Sequence, residues 1–173
     1  MQRNLLAYAR GETALLVRKV SIVAFMERVA RHNEMVAADR GIEVELDLME
    51  RGIAFFDEDK MARALDNLVT NAIEAMSEGG TLTLSSVAEA DDLVLTVQDT
   101  GPGIPRSIRD KLFEPFITSG KTEGTGLGLA NVKAIVDEHA GQVAVKSSRR
   151  GTCFTLRLPG ALRAGPTLLE PIL

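Results

Sequence analysis

The 173-residue chain has a single cysteine, Cys153, and only two histidines, His32 and His139. One cysteine excludes an internal disulfide and a cysteine-rich metal centre. Cys153 lies in a strand pattern that suits a small buried hydrophobe. No apolar run reaches the roughly 18 residues of a membrane span, so no membrane contact is expected from this segment. Met1 to Arg10 lacks the hydrophobic region of a signal peptide,. The net charge of −4 offers no electrostatic attraction for nucleic acid or an anionic membrane,. There is no internal repeat and no low-complexity tract. These absences leave a reducing, cytoplasmic setting as the expectation. What remains is 45% hydrophobic and 25% charged, in a chain long enough for one globular domain with a sizeable core.

Turn residues divide that core into elements. Residues 2–10 read as the end of a helix belonging to something upstream, closed by Gly11. Leu15 to Val17 reads as a short strand. Ser21 caps a helix over about 21–40, with Ile22, Phe25, Met26, Val29 and Val36 inward and Gly41 after it,. Ile42 to Leu48 alternates strictly and predicts a strand with one wet, acidic face. Ile53 to Phe56 is a short apolar strand. Asp57 then caps a helix running to about Ser77, which Gly79-Gly80 stops. Thr81–Val87 and Leu93–Asp99 are strands joined by a polar turn. A helix follows over Leu127–His139, and Gln142–Ser147 pairs with Thr152–Leu158 as a hairpin. Residues 161–173 read as a tail or linker.

Three stretches carry chemistry. In the helix from Asp57, the apolar residues Met61, Leu65, Leu68, Val69, Ala72, Ile73 and Met76 share one face. Asn67, Asn71 and Glu74 share the opposite face, where two amide oxygens suit a hard cation. Asp99 ends a strand and opens Asp99-Thr100-Gly101-Pro102-Gly103-Ile104-Pro105. The two glycines would let a flat ring lie against bare backbone. The carboxylate would accept from an exocyclic amine, favouring adenine over guanine. Gly124-Thr125-Gly126-Leu127-Gly128 enters a helix, and its amides can face phosphates. No Gly-Lys-Ser/Thr follows, which excludes a Walker A loop. The residues from 100 to 125 form a long loop rich in Gly, Pro, Thr and Ser, a length usually functional.

The order of these stretches, with Leu112-Phe113-Glu114-Pro115-Phe116 between the second and third, resembles the ATP-binding catalytic domain of two-component sensor histidine kinases, in the GHKL ATPase superfamily. The resemblance covers roughly Ala14 to Pro159. It implies an α/β fold: a two-layer sandwich of a mixed sheet of about five strands, with helices on one face and a flexible ATP lid. The expected division is 1–11 as the end of a dimerisation helix, 12–160 as the ATP-binding domain and 161–173 as the tail. The resemblance makes Asn71 the Mg2+ ligand and Asn67 its phosphate-side companion. It makes Asp99 and Gly103 the adenine-reading pair, within the turn that includes Gly101 and Ile104. Phe113 and Phe116 become the lid hinge. Lys121, Gly124, Thr125, Gly126, Leu127 and Gly128 become the lid and its phosphate-binding end, and Thr152 a strand residue near the base.

The implied activity is transfer of the ATP γ-phosphate to a histidine on a separate dimerisation domain, with a response-regulator receiver domain as the next partner. His32 has no proline after it to match an acceptor box, and His139 sits at a helix end, so both are expected to be structural. Glu74 stands where many members carry a basic phosphate contact, which makes Lys121 the expected phosphate cation. Related hydrolases carry a glutamate base where Asn67 stands, and an amide cannot accept a proton, so slow ATP hydrolysis is expected. The alternatives are an anti-sigma-type protein serine kinase and a non-enzymatic, nucleotide-gated docking module. Without dimerisation helices, the isolated chain is expected to be mostly monomeric.

Overall fold

The computed structural model describes residues 14–117 and 126–163. The chain enters through β1 (Arg18–Ser21) and turns at once into α1 (Ile22–Asp39). Ser21 Oγ accepts the Ala24 amide and caps that helix,. The strand expected at Leu15–Val17 begins later, and the reason is its partner. β3 (Ile53–Phe56) is only four residues long and pairs antiparallel with Arg18 to Ser21. Leu16 and Val17 are left exposed, and the Leu16 amide turns instead to Asp57 Oδ2 at 2.9 Å.

Asp57 also caps α2 (Glu58–Ala75), its Oδ1 accepting the Lys60 amide at 3.1 Å. Burial raises the Asp57 pKa, but the Leu16 and Lys60 amides and the nearby Lys60 and His139 outweigh it, so the group stays below its ordinary 3.8,. On the sheet-facing side of α2, Met61, Leu65, Leu68, Val69 and Ile73 are all buried. The helix ends slightly before the expected Ser77. Met76 becomes a buried C-cap, and Gly41 at φ +67° and Gly79 at φ +81° fold the chain back beside it,.

The remaining strands are β2 (Ile42–Leu48), β4 (Gly80–Glu89), β5 (Asp92–Asp99), β6 (Gln142–Ser148) and β7 (Gly151–Leu158). They form one five-stranded sheet in the order β2-β4-β5-β7-β6. Only β2 and β4 run parallel; the other pairs are antiparallel. This is the mixed sheet of a two-layer α/β sandwich. Between β5 and β6 lie a single turn, α3 (Arg106–Arg109), and the helix α4 (Gly128–Glu138).

Period-two alternation separates the sheet faces. Leu82 and Leu84 of β4, Leu93, Leu95 and Val97 of β5, and Leu156 of β7 are buried against the helical layer. On β2 the alternate residues Glu43, Glu45 and Asp47 are exposed on the other face. Helices therefore cover one face and water the other. Residues 161–163, the described start of the expected tail, are tied to the domain. Ala161 is buried and its carbonyl accepts the Phe55 amide at 2.7 Å, while the Leu162 amide donates to Asp91 O at 3.0 Å.

Candidate functional site

One row of side chains crosses the end of the sheet. Asp99 lies opposite Thr152, which lies opposite Ser147. Cross-strand partners in register share a face, so all three point toward the helical layer. Asp99 is 6% exposed. Desolvation raises its pKa, against the pull of hydrogen bonds from Gly101 and Thr152,. Both of those bonds fall on Oδ1, at 2.8 Å from the Gly101 amide and 3.2 Å from the Thr152 amide. Oδ2 is thereby left to accept from an incoming donor.

The glycines of this turn also answer a packing need within the fold. A Cβ on Gly101 would lie 3.0 Å from Asp99 Oδ1 and 3.2 Å from Met76 Cγ. At Gly103, with φ +81°, a Cβ would lie 1.9 Å from the Ser148 carbonyl oxygen. These positions are bare so that the turn can seat against Asp99, Met76 and the β6–β7 turn. The turn is then tied down. The Ile104 amide donates to Ser147 Oγ at 2.7 Å, and Arg109 Nε donates to the Ile104 carbonyl at 2.9 Å.

The helical layer supplies the other wall. Asn67 and Asn71 are half-buried on the face of α2 turned from the core, and Glu74 is exposed beside them. α4 packs on α2 and begins at Gly128 with no side-chain cap among the described residues, and a helix N-terminus of this kind favours an acceptor,. The Cβ position of Gly128 is 3.6 Å from Asn67 Oδ1, which brings the end of the glycine run against the asparagine helix. Leu127, just before it, is 43% exposed.

Gly126 has φ +67° and would place a Cβ 2.6 Å from the Phe116 backbone; its carbonyl accepts the Phe116 amide at 2.9 Å. The two ends of the 118–125 segment thus meet. Lys121, Gly124 and Thr125 lie outside the described residues. The two phenylalanines separate in role. Phe113 packs edge-on against Phe154 with ring centroids 6.5 Å apart, whereas Phe116 is 75% exposed with φ +68°. That conformation costs a non-glycine residue about 1–2 kcal/mol.

The two histidines are far simpler. His32 is exposed on α1. His139 directs Nδ1 to the Ile135 carbonyl at 2.7 Å, and its Nε2 accepts the Asp57 amide at 3.1 Å. These two bonds join the end of α4 to the start of α2.

Two positioning residues carry no local sequence signal. Ser147 is one; only the hairpin register from Thr152 would have placed it. The other is Asn33, buried on α1, whose Nδ2 donates to Asp66 Oδ1 at 3.0 Å and so anchors α2 next to Asn67. Among the described residues, no cluster of three or more His, Cys, Asp or Glu side chains could hold a metal. A cation here would depend on amide oxygens, phosphate and water, a donor set that suits Mg2+ better than a transition metal.

Residues 56–162, which contain every described part of this site, match the family model of histidine kinase-, DNA gyrase B- and HSP90-like ATPases. The chain belongs to this family. Among relatives of this ATPase family, the sensor protein IrlS of Burkholderia pseudomallei (strain K96243) is 34% identical over 170 residues, covering 92% of this chain and 36% of that protein. The chain therefore spans about a third of that relative's length. The structure of full-length ShkA in complex with AMPPNP superposes with a TM-score of 0.78 at 30% identity, covering 94% of this chain and 36% of ShkA. The histidine kinase ThkA in complex with the response regulator TrrA gives a TM-score of 0.74 at 26% identity, over 91% of this chain and 46% of ThkA. Among the described residues of this ATPase domain, no helix is long and apolar enough to cross a membrane.

Proposed function

We propose that this ATPase domain is the catalytic half of a two-component histidine kinase. It would hold ATP for attack by a histidine on a separate dimerisation domain. The observation that carries this reading is the pairing of two walls: the buried Asp99–Thr152 row on the sheet, and the Asn67–Gly128 contact on the helices. One wall suits a base and the other a phosphate chain.

In the transfer, an imidazole nitrogen attacks the γ-phosphorus, the bond to the β-phosphate oxygen breaks, and ADP leaves while the imidazole sheds its proton. The domain contributes position and electrostatics. Asp99 Oδ2 accepts the adenine amine. The amides at the start of α4 would face the phosphates. Asn67 contacts the phosphate side without acting as a base. Asn71 Oδ1 would hold Mg2+, which supplies charge neutralisation between phosphates when bound. Lys121 is assigned to the terminal phosphate, and Gly124 and Thr125 to the same end of the site. The AMPPNP-bound ShkA relative supports the nucleotide assignment, and the ThkA–TrrA complex supports a receiver domain as downstream partner. The use of ATP as phosphoryl donor supports a cytoplasmic location.

The test is to mix the chain with a histidine-bearing dimerisation domain and γ-labelled ATP, then treat the product with acid. An acid-labile phosphoprotein supports the proposal. An acid-stable product would point to a serine kinase, and intact ATP binding without any transfer to a docking module.

A further inference from the structure

Ser147 is half-buried on β6, and no contact with a ligand is assigned to it above. Its Oγ lies 2.7 Å from the Ile104 amide and 3.1 Å from Thr152 Oγ1. It therefore joins the turn after Asp99 to the strand that hydrogen-bonds Asp99. Gly103 sits against this same point, its Cβ position 3.0 Å from Ser147 Oγ.

The chemistry of the hydroxyl gives this link a direction. The Ile104 N–H donates to Ser147 Oγ. A hydroxyl oxygen that accepts one hydrogen bond becomes a better donor for the next, because the bonds polarise one another. This favours Ser147 O–H as the donor to Thr152 Oγ1, which would leave the proton of Thr152 for a ligand,. Asp99 is the cross-strand partner of Thr152, and its Oδ2 takes neither of the two amide bonds made by Oδ1, which suits it as an acceptor. An acceptor next to a donor complements the amine and ring nitrogen of adenine. The carbonyl and ring N–H of guanine present the reverse pattern, so both groups would meet a mismatch.

Resting on the reading of Asp99 as the base-binding carboxylate, we infer that Ser147 is a positioning residue for base selection: it orients the Thr152 hydroxyl as a donor and holds the Thr152 amide on Asp99. It touches no nucleotide itself.

The test uses Ser147→Ala and Ser147→Thr in the full chain, with calorimetric titration of non-hydrolysable ATP and GTP analogues. Loss of one hydrogen bond predicts that Ser147→Ala weakens ATP-analogue binding about threefold to tenfold. GTP-analogue binding changes less, so the selectivity ratio falls. Ser147→Thr, which keeps the hydroxyl, restores the ratio. Equal losses for both nucleotides, or no loss, overturn the inference. A second readout needs no nucleotide: carbon-detected NMR titration of the Asp99 carboxyl. Loosening the Thr152 amide removes a bond that favours the carboxylate, so the Asp99 pKa should rise further in Ser147→Ala and return in Ser147→Thr. An unmoved titration overturns the positioning role. Should the wild-type chain bind neither analogue, the nucleotide reading fails by itself, and the Asp99 titration still decides the role of Ser147.

Discussion

Replacing Asp99 with asparagine separates what the carboxylate does for the fold from what it does for a ligand. The amide oxygen of asparagine can still accept from the Gly101 and Thr152 amides, the two bonds now made by Oδ1. What changes is the second atom, from an acceptor to an NH2 donor. Because burial raises the Asp99 pKa, the folded protein carries a cost for keeping this group ionised at neutral pH,. A neutral isostere removes that cost, so the melting temperature at pH 7 should hold or rise. The sign follows from linkage. A raised folded pKa means the native state binds the proton more tightly, so Asp99 favours folding more as pH falls, and the variant lacks this trend. Ligand binding should move the opposite way. Losing a hydrogen bond to a charged acceptor costs about 1.5–3 kcal/mol, or about tenfold to more than a hundredfold in affinity. Facing the adenine amine with another donor adds to that. Calorimetric titration with the ATP analogue, paired with thermal melts, measures both. Unchanged affinity would refute the base-reading role. A fall of several degrees in melting temperature would refute the claim that Oδ1 alone serves the fold. Wild-type affinity should also decline as pH drops toward the raised Asp99 pKa, because the protonated acid becomes a donor.

Asn71→Asp should leave the fold intact and impair Mg2+-dependent transfer to a supplied acceptor domain; normal transfer would refute Asn71 as the metal ligand. Gly103→Ala should destabilise the protein by at least about 2 kcal/mol, since a Cβ would lie 1.9 Å from the Ser148 oxygen in a backbone that disfavours side chains, and urea unfolding would show it,. Asp57→Ala removes a helix cap and the partner of the Leu16 amide, with an expected loss of about 1–2 kcal/mol at neutral pH,. The Asp57 pKa is lowered in the fold, so its stabilisation is present above its ordinary 3.8 and lost as pH falls through the folded value,. Wild type and variant should therefore converge in acid; a constant gap across pH would contradict this. Steady-state ATP hydrolysis by the chain should be slow, because Asn67 offers no base, and a turnover like that of an ordinary ATPase would overturn its role.

Legibility followed sequence distance. Ser21 and Asp57 announced their helices because a cap and its amide are three residues apart,. The apolar face of α2, and Asn67 with Asn71 opposite it, follow from helical periodicity alone. Asp99 at a strand end was equally local. The start of β1 was not, because it is set by pairing with β3 across the intervening helix and strand. The contacts that shape the site are longer still. Ile104 and Ser147 are 43 residues apart, and Asn33 and Asp66 are 33 apart. Neither pair has a spacing rule. Gly103 was visible as an unusual glycine, but its neighbour, the Ser148 carbonyl, exists only once the β6–β7 hairpin is folded.

The proposed base-binding row, Asp99, Thr152 and Ser147, belongs to the sheet, while Asn67, Asn71 and Gly128 belong to helices. Among the described residues no backbone hydrogen-bond ladder joins the two layers; close-packed side chains such as Leu65, Leu95 and Val132 hold them at a set spacing,. The molecule thus works as a calliper, whose gap is gauged by its own interior. Trimming a methyl group from that interior, far from any ligand, would change the separation between base and phosphate subsites. Nucleotide affinity would then register packing defects that a melting curve reports only as lost stability.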